Sequence, residues 1–148
     1  MDMTSAHFLK KCLNDINEFK GCFNITKIKQ LRHLITFPSQ FPSSFILLEK
    51  GHWTAIKILN KKTILYFNSF GEGIRNKKLL NLLIWNNYKS IYYSHWKIQS
   101  DQSHQCGVFC ILFIKCVSNK VNYRDFLNLF YKRKLYKNDF IVNALSFV

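Results

Sequence analysis

At 148 residues the chain is sized for one domain, residues 1–148, with a core of its own. Hydrophobic residues at 48% and aromatics at 16% exclude a disordered chain. Lys and Arg number 22 against 8 Asp and Glu, a formal +14, which favours polyanionic partners. The plainer account of that charge is solubility: the chain is rich in Lys, Asn, Ile and Phe throughout.

Residues 5–19 predict an amphipathic helix. Thr4 or Ser5 caps it, Phe8, Leu9, Cys12, Leu13 and Ile16 form its apolar stripe, and Lys20-Gly21 ends it. Cys22 to Ile25 reads as extended. The stretch 22–43 is otherwise irregular, and both prolines punctuate a loop over 37–44. Its basic run Lys27, Lys29, Arg32, His33 is the pattern of a solvated face.

Three strands follow, at 45–48, 53–59 and 63–67, the second with alternating hydrophobicity; Asn60-Lys61-Lys62 turns the last two into a hairpin. Gly71-Glu72-Gly73 breaks the pattern, and 75–86 predicts a helix along Leu79, Leu80, Leu83 and Ile84. Residues 91–93 and 96–99 read as one interrupted strand or two, and a loop over 100–105 precedes Cys106-Gly107-Val108-Phe109-Cys110-Ile111-Leu112-Phe113-Ile114. That run is apolar on every side, the mark of a buried central helix, and too short to span a bilayer. Two amphipathic helices close the chain: Tyr123, Phe126, Leu127, Phe130 and Tyr131 behind Asn122, then Phe140, Ile141, Ala144, Leu145 and Val148 behind Asn138. Lys132, Arg133, Lys134 and Lys137 lie between them and are the first candidates for a nucleic-acid surface. The order predicts an α+β domain, a small central mixed sheet packed with helices.

Five cysteines, three of them in one apolar helix, make a poor disulfide framework and point to a reducing compartment. The polar start Met1-Asp2-Met3-Thr4-Ser5 lacks the apolar stretch of a secretory signal, and no membrane partner or bound metal is expected.

Cys106 sits where a buried helix begins, at the positive end of its dipole, a setting that makes a thiol nucleophilic. Alone it is one more core cysteine. A cysteine nucleophile needs a base, and the base needs a group that holds its tautomer. His52, at the start of one strand, and Asn68, at the end of its hairpin partner, fall side by side and supply both. His7, His33, His95 and His104 read as surface residues. Trp53 is placed to shield His52, and Gly107 to let a substrate backbone approach.

His52-Trp53 at a strand start, Asn68-Ser69-Phe70-Gly71 after the next strand, and Gln105-Cys106-Gly107 opening a helix together resemble the adenovirus-type and SUMO-specific cysteine endopeptidases. The step of seven from Gln99 to Cys106 is similar to the adenovirus-type, adenain-like branch. The resemblance covers roughly residues 44–117. It implies a papain-like core and a cysteine endopeptidase without a cofactor that cuts viral capsid or other structural precursors beside Gly or Ala. Stimulation by DNA or a short peptide, and a place in the virion and in host cytoplasm or nucleus, follow from the same likeness. Gln99 then becomes the side-chain donor to the oxyanion, with Gln102 and Gln105 as competitors. Asn68 departs from the commoner Asp or Glu; Glu72 and Asp101 are the nearby carboxylates. Two alternatives stand beside this: a SUMO- or ubiquitin-type deconjugating isopeptidase, and a silent nucleic-acid-binding module on the same scaffold.

Overall fold

The computed structural model describes residues 5–101 and 103–147. Its elements run α1 (Ala6–Leu13), β1 (Phe19–Asn24), α2 (Ile28–Thr36), β2 (Ser43–Glu49), β3 (His52–Asn60), β4 (Thr63–Phe67), α3 (Lys77–Trp85), β5 (Ser90–Tyr93), α4 (Cys106–Ser118), α5 (Tyr123–Asn128) and α6 (Leu135–Ser146). The five strands form one sheet in the order β1-β2-β3-β4-β5. The outer pairs, β1 with β2 and β4 with β5, are parallel, and the inner pairs antiparallel. This is an α+β domain with a mixed sheet packed by helices.

Both faces of the sheet are covered. On one, Phe45, Leu47, Ile56, Ile58, Ile64 and Tyr66 pack with Leu31 and Ile35 of α2 and with Leu79, Leu82 and Leu83 of α3. These helices are the crossovers that parallel pairing requires. On the other, Ile46, Trp53, Ala55, Leu65 and Phe67 pack on α4, with α1, α5 and α6 around it. Every α4 residue from Cys106 to Ile114 is buried. Its uniform hydrophobicity follows from being surrounded, with Phe67, Phe109, Phe113, Phe126 and Phe130 meeting ring to ring.

A buried ion pair ties this frame together. Lys57 of β3 meets the Glu18 carboxylate at 3.3 Å and donates to the Val117 carbonyl at 2.8 Å, near the C-terminus of α4. There a cation complements the helix dipole. Ser44 of β2 donates to the other Glu18 oxygen.

Several expectations are corrected. The first helix stops at Leu13 rather than 19, because Phe19–Asn24 is drawn into pairing with β2. Thr4 and Val148 lie outside the described residues; Ser5 caps α1 by accepting from the Phe8 N–H at 3.1 Å. Residues 28–36, expected to be irregular, form α2, whose buried Leu31 and Ile35 are interleaved with the basic run. β3 is buried from Trp53 to Ile58 instead of alternating, since both of its faces are covered. Residues 96–99 are not a strand; β5 ends at Tyr93. Asn138 does not cap α6. It is buried with Val142 and Ser146 on the inward face, while Phe140 and Leu145, expected inside, are exposed.

Candidate functional site

The turn Lys50-Gly51, with both residues at positive φ, delivers the chain into β3 at His52. β4 runs back beside β3 and releases Asn68 one residue past its end. The two side chains meet: His52 Nε2 lies 2.8 Å from Asn68 Oδ1. The same oxygen accepts from the Phe70 N–H at 2.9 Å. An amide oxygen only accepts, so Nε2 carries the imidazole hydrogen and Nδ1 is the basic nitrogen. The Phe70 ring stacks on the imidazole, centroids 4.4 Å apart. Burial lowers the His52 pKa below 6.5, opposed by the Asn68 hydrogen bond and by the Glu72 and Glu49 charges. Burial raises the pKa of the neighbouring Tyr66 hydroxyl, opposed by the Thr54 and Asn68 side chains.

Cys106 is the first residue of α4 and is buried. Its sulfur accepts from the backbone N–H of Trp53 at 3.5 Å. The first two residues of β3 thus divide the site, the His52 ring reaching Asn68 and the Trp53 amide reaching the Cys106 sulfur. Trp53 itself is buried in the core against α4, and Gly107 is buried as the second residue of that helix.

Gln99 is fully enclosed. Its Nε2 donates to the Ser103 carbonyl at 3.0 Å, and its Oε1 accepts from the Ser69 hydroxyl. An open donor on a strand end was expected. The residue instead sits on an irregular segment held by the Ser69 carbonyl, which accepts from the Ile98 and Gln99 N–H groups at 2.9 and 3.1 Å. The amide nitrogen carries two hydrogens, and Ser103 uses one. Gln102 lies outside the described residues. Gln105 precedes α4, and its Oε1 is buried with no partner among the described residues.

Gly71 explains the Ser69-Phe70-Gly71 turn. Its φ is +73°, and a Cβ there would stand 2.6 Å from the backbone of Trp96 and Lys97. Only glycine lets this turn close on the 95–97 segment.

Sequence reasoning missed two groups that α6 contributes. Asn138 donates to the Ile98 carbonyl at 3.0 Å, pinning the residue before Gln99. Asp139 accepts from the Ser100 hydroxyl at 3.3 Å, and burial raises its carboxyl pKa. No local pattern reveals either, since both partners lie some 40 residues upstream. Of the carboxylates expected nearby, Asp101 pairs with Lys97, and Glu72 pairs with Arg75 at 3.3 Å.

A cavity of about 290 Å³ opens beside His52, bounded by Glu49, Thr54, Tyr66, Asn68, Phe70 and Glu72. A larger groove of about 870 Å³ lies elsewhere, between β5 and the far end of α4. Cys106, His52 and Asn68 line the smaller one or neither, so chemistry rather than volume marks the site.

Lys132, Arg133 and Lys134 are exposed between α5 and α6, and Lys137 is exposed in the first turn of α6. Next to them Tyr131 stacks on Trp96, centroids 4.1 Å apart, and the Lys132 ammonium lies 5.4 Å from the Tyr131 ring centre. Lys27, just before α2, and Lys29 and Arg32 on it are exposed across the sheet, so the two basic sets occupy separate layers. Among the described residues no group of three or more His, Cys, Asp and Glu is placed to hold a metal ion. No helix among them is long and apolar enough to cross a membrane.

No family model and no curated protein matches the chain. Among solved structures it is similar to the central domain of an uncharacterized Legionella pneumophila protein, with a TM-score of 0.62 and 14% identity. The match covers 99% of this chain and 94% of that one. The likeness is one of fold.

Proposed function

We propose that the chain is a cysteine endopeptidase of the adenain-like type, with Cys106 as nucleophile, His52 as base and Asn68 holding the base. One observation carries this reading: a single strand start brings a tautomer-fixed imidazole and the N–H beside the Cys106 sulfur together. The hydrogen bond to Asn68 leaves Nδ1 as the nitrogen to take the thiol proton. The sulfur then adds to the substrate carbonyl, and the oxyanion is met by the Cys106 backbone N–H and, once substrate binding uncovers the enclosed Gln99 side chain, by its second amide hydrogen. The C–N bond breaks as the imidazolium returns the proton to the leaving amine. Water, deprotonated by the same imidazole, then hydrolyses the thioester and restores the thiol.

Asn68 fixes the imidazole's tautomer without a charge of its own. A thiol is acidic enough to work with that, where a serine hydroxyl would gain more from a carboxylate. The substrates we propose are structural precursor proteins cut beside Gly or Ala. The test is mass spectrometry of small-residue peptides, and of SUMO and ubiquitin fusions, after incubation with the chain and with Cys106→Ala. Cleavage of the peptides by the unmutated chain alone supports the reading. Cleavage confined to the fusions makes it a deconjugating isopeptidase, and turnover by Cys106→Ala refutes the mechanism.

A second observation favours a polyanionic partner, DNA first. The Trp96–Tyr131 stack beside Lys132, Arg133, Lys134 and Lys137 combines an aromatic platform with exposed positive charge.

A further inference from the structure

We infer that Ser69 is a positioning residue for the reaction at Cys106: with Ser103 it locks the Gln99 amide in one orientation, its N–H₂ end toward the loop that delivers the nucleophile. The inference rests on the proposed peptidase function and assigns a role that function does not require of Ser69 in advance. Ser69 and Gln99 are both completely enclosed, so neither side chain can exchange its partner for water.

An amide can rotate by half a turn and exchange oxygen for nitrogen, and its neighbours decide which way it stands. The Ser103 carbonyl can only accept, so the nitrogen must face it. The oxygen then faces Ser69, whose hydroxyl must donate. Ser69 holds the other side of Gln99 as well, because its carbonyl accepts from the Ile98 and Gln99 N–H groups.

The chain of bonds reaches both halves of the site. Ser69 directly follows Asn68, which holds His52. The Ser103 hydroxyl oxygen accepts from the Gln105 N–H at 3.1 Å, and Gln105 directly precedes Cys106. Base and nucleophile are therefore linked through Ser69, Gln99 and Ser103, besides the start of β3, which carries His52 and sets the Trp53 N–H against the Cys106 sulfur. Removing the Ser69 hydroxyl leaves the Gln99 oxygen buried without its donor, which favours rotation or displacement of the amide. A small displacement of a transition-state donor costs turnover while leaving substrate binding largely intact.

The test compares the unmutated chain with Cys106→Ala, Ser69→Ala, Gln99→Ala and the Ser69→Ala/Gln99→Ala double variant on a fluorogenic Gly-Gly aminomethylcoumarin amide. Thermal unfolding and the rate of iodoacetamide alkylation at Cys106 are measured alongside. Ser69→Gly, which likewise lacks the donor, serves if the alanine variant does not fold. Ser69→Ala is expected to lower kcat roughly ten- to a hundredfold with KM within about threefold and alkylation unchanged. The double variant is expected to be no slower than the slower single one, because both changes act through one amide.

Folded Ser69 variants that keep kcat within about twofold of the parent overturn the inference, as do Ser69 and Gln99 effects that multiply. In either case the peptidase reading stands, provided Cys106→Ala is dead. A parent chain that cleaves nothing sinks both.

Discussion

The Nε2 of His52 and the Oδ1 of Asn68 are 2.8 Å apart, although 16 residues separate them in the chain. The hairpin of β3 and β4 closes that gap, and it sets what the pair does to the imidazole. Asn68→Ala removes the acceptor that fixes the tautomer and leaves the Cys106 thiol in place. Asn68→Ala is expected to lower kcat/KM by less than Cys106→Ala, which abolishes it. Steady-state kinetics on one peptide substrate compares them, and equal losses would mean that the amide does more than orient.

Burial lowers the His52 pKa below 6.5. The base is the neutral imidazole, so activity is lost as pH falls through the folded-state value. The acid limb of kcat/KM is therefore expected below pH 6.5, the ordinary value. Glu72 and Glu49 raise this pKa, so Glu72→Gln shifts the limb further down. Asn68→Asp places a full charge against the ring and shifts it up. pH–rate profiles of the three proteins read the order directly.

Lys57 and Glu18 are both buried, and Lys57 also caps the carbonyl end of α4. Lys57→Met strands a buried carboxylate and is expected to cost about 3–5 kcal/mol of stability. Glu18→Gln in the same chain removes the stranded charge and is expected to recover part of it. Urea unfolding of the single and double variants gives the values. Additive losses would show that the two charges do not act as a pair.

If Lys132, Arg133, Lys134 and Lys137 meet phosphates, changing all four to Glu weakens binding to a single-stranded oligonucleotide. It also flattens the dependence of affinity on salt by roughly 0.7 per contact removed. Trp96→Ala is expected to weaken binding without changing the slope, since stacking releases no counterions. Fluorescence anisotropy across a salt series separates the two. Unchanged binding in the charge-reversal variant moves the interface elsewhere, with α2 the next candidate.

The central strands, the hairpin turn and the onset of α4 were legible because each is written in neighbouring residues. β-branched and aromatic runs mark β4, Asn60-Lys61-Lys62 marks its turn, and an all-apolar stretch opens at Cys106. The pairing of His52 with Asn68 was legible too, since a hairpin places strand start beside strand end. α2 was not: its buried Leu31 and Ile35 stand one helical turn apart, but the basic run among them reads as a solvated face and the prolines after them as loop. The inward face of α6 was misjudged on hydrophobicity: Asn138 is buried there because a distant carbonyl, Ile98, accepts from it.

The chain's own letters determined an α+β architecture, a buried helix with a cysteine at its mouth, and a histidine paired with an asparagine across a hairpin. Tertiary structure alone decided what surrounds them. It turned Gln99 from an open donor into an enclosed, doubly held amide, brought Asn138 and Asp139 onto the segment before Cys106, and put the two basic clusters on different layers. The reason is physical. Local periodicity reports which side of an element seeks the core, whereas a buried polar group takes its partner from whichever distant backbone the closed fold brings within reach.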